Sequence, residues 1–104
     1  DNDMPHDTRK LVTIVTESVL EAEVCEGLED LGAAGYTVTN ARGKGSRGVR
    51  DAGWSSSSNV RIEVVCSEDV AQRIAEHMRD KYYSDFAMII FESDVRVLRP
   101  DKFA

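Results

Sequence analysis

Residues 40–59 of this 104-residue chain interrupt every regular pattern in the sequence. They read NARGKGSRGVRDAGWSSSSN, and their four glycines and four consecutive serines prevent a helix or a strand from continuing. The segments on either side show the spacings typical of helices and strands. An aperiodic segment of roughly 20 residues is uncommon inside a compact domain unless it is a functional loop or a linker. The chain is therefore expected to fold as two periodic halves joined by one long loop.

The first half is predicted to form a strand, a helix and a second strand. Residues 11–16 (LVTIVT) are apolar and β-branched, which predicts a buried strand. Apolar side chains then recur at helical spacing over residues 18–32. Ser18 opens a capping-box pattern at the start of this helix, and Gly32 is placed to end it. Residues 36–39 (YTVT) predict the second strand.

The second half repeats this order. Residues 60–66 alternate between apolar and other side chains, which predicts a half-buried third strand. Ser67 is a suitable N-cap for a second helix, whose apolar side chains recur every four residues. The apolar run at residues 86–91 predicts a central strand, and residues 95–98 predict a short edge strand after it.

The order β-α-β, loop, β-α-β predicts an α+β, ferredoxin-like sandwich, with one antiparallel sheet and two helices on one face. The long loop then joins strands 2 and 3. The uncovered face is expected to carry one alternating set of side chains: Thr13, Val15, Arg61, Glu63 and Val65, or the residues that alternate with them. A partly apolar open face predicts an oligomer. Residues 1–9 are predicted to be a flexible tail, and residues 10–104 a single domain.

Composition excludes several classes of protein. No apolar run approaches the roughly 20 residues of a membrane helix, and no hydrophobic segment follows the N-terminus as in a signal peptide. Cys25 and Cys66 form no C-x-x-C pair, so we expect two buried thiols in a reduced, cytoplasmic protein. The net charge of −6 argues against nucleic-acid binding. No metal-ligand spacing and no catalytic set of residues is apparent.

The long loop has the opposite charge from the rest of the chain. Five basic residues and one acidic residue give residues 41–61 a net charge of +4, so the remaining residues carry −10. Its glycines leave backbone N–H groups open to an anion, and arginine and lysine side chains follow them. This composition predicts an anion site. A solvated linker would have the same composition, so the residues alone leave both alternatives open.

Three motifs resemble the PII signal-transduction superfamily, and the resemblance covers about residues 10–99. They are GYTVT at residues 35–39, GKGSRGVR at residues 43–50 and NVRIEVV at residues 59–65. The second motif is similar to that of the PII-like carbon-sensing branch, which contains the SbtB-type proteins and the carboxysome-associated PII protein.

The resemblance implies a homotrimer with an adenine nucleotide in each cleft between subunits. The implied nucleotide-binding residues are Ile14, Thr39, Gly43, Lys44, Gly45, Ser46, Arg47 and Val65. Residues 42–58 correspond to the mobile T-loop of PII proteins, which docks onto a membrane transporter or an enzyme of carbon metabolism. Arg50 and Trp54 are the candidate partner-binding residues.

Two departures from ordinary PII proteins change the expected ligands. The segment that wraps the outer phosphates reads YSDFA at residues 83–87, without glycine or lysine, so ADP, AMP or cyclic AMP is expected rather than ATP. Arg47 replaces the glutamine associated with magnesium and 2-oxoglutarate, so sensing of 2-oxoglutarate is not expected. Carbon-sensing relatives suggest bicarbonate, for which Lys44, Arg47 and Arg50 are the candidate ligands.

Three other functions fit the sequence less well than a sensor does. An acylphosphatase-like hydrolase would need an arginine loop after the first strand, and residues 16–18 contain neither arginine nor glycine. An RNA-binding sheet would need aromatic side chains on its third strand, which has none. A purely structural trimer would explain the apolar face but not the basic loop. The expected location is the cytoplasm, with association to a carboxysome or a membrane only through a partner.

Overall fold

The structure is a computed structural model that describes residues 7–43 and 58–103. Its elements are β1 (Thr8–Glu17), a 3₁₀ turn (Ser18–Leu20), α1 (Glu21–Asp30), β2 (Thr37–Ala41), β3 (Asn59–Cys66), α2 (Glu68–Tyr82), β4 (Ile89–Arg96) and a C-terminal 3₁₀ turn (Pro100–Phe103). The predicted ferredoxin-like order is therefore confirmed.

The four strands form one antiparallel sheet in the order β2-β3-β1-β4. Strand β1 lies inside the sheet and pairs with β3 along residues 10–17 and with β4 along residues 8–15. Strand β2 pairs with β3 only, beginning with Thr37 opposite Glu63 and ending with Ala41 opposite Asn59. Among the described strands, β2 and β4 thus lie at the two edges of the sheet.

The core lies between the sheet and the two helices. Alternate residues of β1, such as Val12 and Ile14, point to the helices and are no more than 2% exposed. Their partners Ile62 and Val64 in β3 are equally buried. Helix side chains complete the cluster: Val24, Cys25 and Leu28 from α1, and Val70, Ala71, Ile74, Met78 and Tyr82 from α2. The burial of each large aliphatic side chain stabilises the fold by roughly 1.5–3 kcal/mol.

Both cysteines are buried free thiols, as expected from the sequence. Burial raises the pKa of the Cys66 thiol to about 11. It also raises the pKa of Cys25. Because a neutral thiol behaves as a small apolar group, both cysteines contribute to packing.

A hydrogen bond joins the two helices beside this core. The hydroxyl of Tyr82, which is 2% exposed as a residue, donates to Glu23 Oε2 at 2.7 Å. This bond lowers the pKa of the Glu23 carboxyl, and Lys81 adds to the effect from 3.4 Å. Burial raises the pKa of Tyr82 above its usual range, so the hydroxyl remains a donor.

One predicted helix cap is confirmed and the other is wrong. Ser67 Oγ accepts a hydrogen bond from the Val70 N–H at 3.3 Å and so caps α2. Ser18 instead lies in the 3₁₀ turn, and no side chain caps the start of α1 at Leu20. The backbone N–H of Ser18 donates to the carbonyl oxygen of Ser58 at 2.7 Å, which ties this junction to the end of the long loop.

The predicted end of the sheet needs correction. The sequence predicts a central strand at residues 86–91 and a separate strand at residues 95–98. The structure instead has one strand in this region, Ile89–Arg96, and it lies at an edge of the sheet. Phe86 and Met88 precede this strand and pack against the core. The first part of the apolar run therefore packs in the core without forming a strand, and β4 begins only at Ile89. The polar residues of β4 are tolerated because an edge strand is largely exposed.

The N-terminal boundary also differs from the prediction. Thr8 and Arg9, which were assigned to the tail, belong to β1. The Arg9 guanidinium donates to the carbonyl oxygens of Pro100 and Phe103, each at 2.7 Å. These bonds hold the C-terminal turn against the start of β1.

The turn after α1 provides a test of the fold. Gly32 has a φ of +107°, a conformation that L-residues rarely adopt, and an added Cβ would lie 3.2 Å from Arg73 Nη2. We predict that Gly32→Ala lowers the free energy of unfolding by about 1–2 kcal/mol. Urea unfolding at one fixed protein concentration measures this change.

Gly35→Ala is the matched control, because its added Cβ would meet no atom within 4 Å. We expect it to change the free energy of unfolding by less than about 0.5 kcal/mol. Equal losses in the two variants would contradict the assignment of Gly32 as a conformationally required glycine.

Candidate ligand-binding site

The long loop leaves and re-enters the sheet at one end. Ala41, the last residue of β2, lies opposite Asn59, the first of β3, and Asn59 lies opposite Glu17, the last of β1. Because adjacent strands are about 4.8 Å apart, three strands end within about 10 Å of one another. The bond from Ser18 to Ser58 holds the returning chain at this end. The base of the loop is thus part of the sheet.

Two of the predicted nucleotide-binding residues lie near this end. Thr39 is exposed on β2 and lies opposite Arg61 of β3. Gly43 is exposed two residues beyond β2, and a Cβ there would meet no atom within 4 Å. Arg61 Nε donates to Glu63 Oε2 at 3.2 Å, and both side chains of this pair are partly exposed to water. A hydroxyl, a guanidinium and an unobstructed glycine are therefore available close to the loop base.

The other two described candidates, Ile14 and Val65, lie on opposite faces of the sheet. Ile14 faces the helices and is 0% exposed. Val65 pairs with Leu11, whose side chain points away from the helices because it alternates with Val12. The side chain of Ile14 therefore has no surface that a ligand could contact within its own subunit. It can contribute to the site only by packing in the core behind β1. Val65 is half-buried and lies about 13 Å along β3 from Arg61.

The remaining candidates lie outside the described residues. These are Lys44, Gly45, Ser46, Arg47, Arg50 and Trp54. Their proposed roles in binding a nucleotide, bicarbonate and a partner remain predictions.

The sheet face away from the helices is partly apolar. By register, Thr13 shares this face with Glu63, and Val15 shares it with Arg61, as the alternation predicted. Strand β4 adds Ile89 and Phe91, which are 55% and 50% exposed. We call this surface the open face; no element among the described residues packs over Ile89 or Phe91.

Sequence reasoning missed Glu17, which is only 6% exposed. It follows the apolar run of β1, and its alternation with Val15 places it on the open face at the loop end. The neighbouring Thr16 is 1% exposed, and its hydroxyl has no hydrogen-bond partner in the described part of the chain. The sequence does contain one signal for this residue. Glu17 follows Val15 at the two-residue spacing of β1, so it could have been assigned to the end of that strand.

Two cavities among the described residues lie away from the loop base. One of about 320 Å³ lies between α2 and the strands and is lined by Lys10, Glu68, Gln72, Ala75, Glu76, Arg79 and Glu92. The other, of about 180 Å³, lies on the outer side of the helices and includes Gly27 and His77. Neither includes a residue of the loop base, so neither supports the predicted nucleotide site.

Residues 7–43 and 58–103 show no metal site and no helix that could span a membrane. No group of three or more His, Cys, Asp and Glu side chains there could hold a metal ion. Neither helix in these ranges is long and apolar enough to cross a membrane.

The chain matches the sequence model for nitrogen regulatory protein P-II over residues 9–102. It belongs to the P-II family. This membership confirms the predicted resemblance and makes the chain a PII-like regulatory protein. The match covers the loop base, β2, β3, β4 and all of β1 except Thr8.

Solved structures agree with this assignment. A protein of Thermus thermophilus described as PII-like and signalling is 44% identical, with 93% of this chain and 96% of that chain covered and a TM-score of 0.80. The CPII protein of Thiomonas intermedia K12, solved with ADP and bicarbonate, is 23% identical, with coverage of 93% and 95% and a TM-score of 0.80. CPII solved with ADP, AMP and acetate gives 23% identity, coverage of 92% and 94% and a TM-score of 0.78. The CPII comparisons establish the shared fold.

The open face provides a test of subunit association. We predict that Phe91→Asp weakens association by about 2 kcal/mol or more for each copy, because it places a charge on an apolar surface that a neighbouring copy would bury. Light scattering during size-exclusion chromatography measures the native mass across a dilution series.

Val19→Asp is the matched control, since Val19 is 77% exposed but lies in the 3₁₀ turn rather than on the sheet. It should leave the native mass unchanged. If Phe91→Asp keeps the wild-type mass at every concentration, the open face is not the association surface.

Proposed function

We propose that this protein is a trimeric sensor that binds an adenine nucleotide in the clefts between subunits, with ADP or AMP preferred to ATP. The T-loop, residues 42–58, transmits the bound state to a partner in inorganic-carbon metabolism. PII-like proteins are trimeric and bind adenine nucleotides. The observation that carries the proposal is the position of the basic, glycine-rich segment, which joins β2 to β3 at the sheet end of a P-II family chain.

The proposed cleft needs a second subunit as its other wall. Thr39 lies on an edge strand and, like Gly43, is exposed to solvent in the single chain. Ligand pockets are concave and bury most of the ligand surface, which one exposed strand edge does not provide. A neighbouring copy packed beside β2 would supply the missing wall. We therefore propose that the nucleotide lies between subunits rather than within one.

The segment at residues 83–87 supports a ligand with few phosphates. Three of its five backbone N–H groups are already used within the chain. Those of Asp85 and Phe86 both donate to the Tyr82 carbonyl oxygen, at 3.1 and 2.9 Å. The Tyr83 N–H donates to the carbonyl oxygen of Arg79 at 3.4 Å. These groups are not free to bind outer phosphates, and the segment carries no basic side chain. ADP or AMP therefore fits this chain better than ATP.

Bicarbonate is the proposed second ligand. CPII of Thiomonas intermedia K12 has been solved with ADP and bicarbonate together. In this chain Lys44, Arg47 and Arg50 supply the positive charges for a small planar oxyanion, and the fork of an arginine side chain matches its geometry. A bicarbonate bound beside the nucleotide phosphate would couple carbon supply to the state of the T-loop.

The proposed output is a change in the population of T-loop conformations. No chemical step is needed, because a ligand that binds one loop conformation more tightly shifts the equilibrium toward it. Trp54 and Arg50 are the proposed contacts to a transporter or an enzyme of carbon metabolism. Such a partner would distinguish the loop conformations by surface complementarity.

Calorimetry with AMP, ADP and ATP tests the nucleotide site. We predict that AMP and ADP bind more tightly than ATP and that Arg47→Ala weakens binding by about tenfold or more, because a charge-assisted bond to phosphate is lost. Arg79→Ala is the matched control, since Arg79 is an exposed arginine on α2 that pairs with Asp80. The control should bind nucleotide as the wild type does. No heat from any nucleotide would refute the sensor and favour a purely structural trimer.

The bicarbonate proposal has its own test. We predict that millimolar bicarbonate changes the affinity for ADP by about fivefold or more, and that ADP changes the affinity for bicarbonate by the same factor, since coupling between two sites is reciprocal. Chloride at equal ionic strength is the control. An ADP affinity that is the same in both salts would refute a bicarbonate site beside the nucleotide.

A further inference from the structure

Ser18 and Glu21 form a capping-box motif that the observed fold does not use. In this Ser-x-x-Glu pattern the serine side chain caps the start of a helix, and the glutamate bonds back to the backbone N–H of the serine. In the structure α1 instead begins after a 3₁₀ turn, and no side chain caps either element. The motif is therefore available for a second arrangement of the same residues.

Both backbone N–H groups of the motif bond to other acceptors in the structure. The Ser18 N–H donates to the carbonyl oxygen of Ser58 at 2.7 Å. The Glu21 N–H donates to the carbonyl oxygen of Ser18. In a capping box the first N–H would bond to the Glu21 carboxylate and the second to Ser18 Oγ. The two arrangements therefore compete for the same two donors.

The side chains of the 3₁₀ turn leave room for this exchange. Ser18 is exposed and Val19 is 77% exposed, so neither side chain is held by packing. Leu20 is the buried residue of the turn and anchors it to the core. A change of hydrogen-bond partners at Ser18 thus leaves the core contact of the turn in place.

We propose that the junction of β1 and α1 is a two-state device, in which the Ser18 N–H exchanges between the Ser58 carbonyl oxygen and the Glu21 carboxylate. In the observed state, the end of β1 is tied to the residue that precedes β3. In the second state, Ser18 is the N-cap of a helix that begins at Val19. Because the two bonds exclude each other, a contact that holds Ser58 in place opposes capping of α1, and capping opposes that contact by the same factor.

Three variants shift this equilibrium in known directions. Ser18→Ala removes the capping hydroxyl and Glu21→Ala removes the carboxylate, whereas the observed bonds use only backbone atoms of both residues. Val19→Pro acts in the other direction, because proline is favoured as the first residue of a helix and restricts the preceding residue to an extended conformation. Glu26→Ala is the matched control, since it removes an exposed glutamate from the middle of the same helix.

The experiment is amide hydrogen exchange, measured by NMR on the full chain without added nucleotide. In the capped state the Ser18 N–H bonds to a side chain rather than to the sheet, so it exchanges faster. We expect Ser18→Ala and Glu21→Ala to slow exchange at residue 18 about three- to fivefold after correction for intrinsic rates, because each removes one bond of the cap. Val19→Pro should speed this exchange about tenfold and remove the scalar coupling between the Ser18 nitrogen and the Ser58 carbonyl carbon. Glu26→Ala should stay within about twofold of the wild type.

Opposite shifts in the two kinds of variant support the device. Slower exchange in Glu21→Ala is a specific sign, because the loss of a nearby negative charge would by itself speed base-catalysed exchange. If Ser18→Ala and Glu21→Ala exchange as the wild type does, or if Val19→Pro keeps the coupling to Ser58, the junction has one state and the inference is overturned. If circular dichroism shows that Val19→Pro does not fold, the exchange rate of Glu21→Ala decides by the same criterion.

This inference goes beyond the proposed function and does not depend on it. The exchange experiment contains no nucleotide, so a junction with one state would leave the proposed sensor untouched. A chain that binds no nucleotide would likewise leave the two states of the junction to be measured in the same way.

Discussion

The pairing of β1 with strands on both sides is the constraint on which the rest of the structure depends. Because β1 hydrogen-bonds to β3 and to β4, its alternation determines which side chains of all four strands face the helices. Val12 and Ile14 face inward, and a shift of one residue would replace them with Thr13 and Val15. The same register aligns the ends of β1, β2 and β3, so it also determines where the long loop begins.

This arrangement separates charge within a small protein. The outer surface of α1 is acidic, whereas the loop between β2 and β3 carries a net positive charge. The ion pairs of the described residues, such as Lys10–Asp94 between β1 and β4 and Arg79–Asp80 on α2, each have at least one largely exposed partner. Exposed pairs of this kind contribute little to stability. We propose that the positive charge of the loop serves an anionic ligand rather than the fold.

The regular elements were predictable because their signals are local. Ser67 capped α2 as expected, and the alternation of β3 identified its buried side chains correctly. Prediction failed where a local pattern had two explanations. The apolar residues before β4 resembled a strand but pack against the core as an irregular segment, and Ser18 resembled a cap but lies in a turn bonded to the end of the loop. In both cases a tertiary contact outweighed the local preference.

The candidate site was also predictable only in part. Its chemistry was visible in the amino-acid sequence, since glycines, arginines and a lysine indicate an anion site at any position in a fold, and the family motifs are sequence motifs. Its geometry was not visible. That Ile14 lies inside the core while Val65 lies on the open face follows from strand register, which joins residues about fifty positions apart. The burial of Glu17 at the base of the loop is likewise a tertiary property that its own position in the sequence does not show.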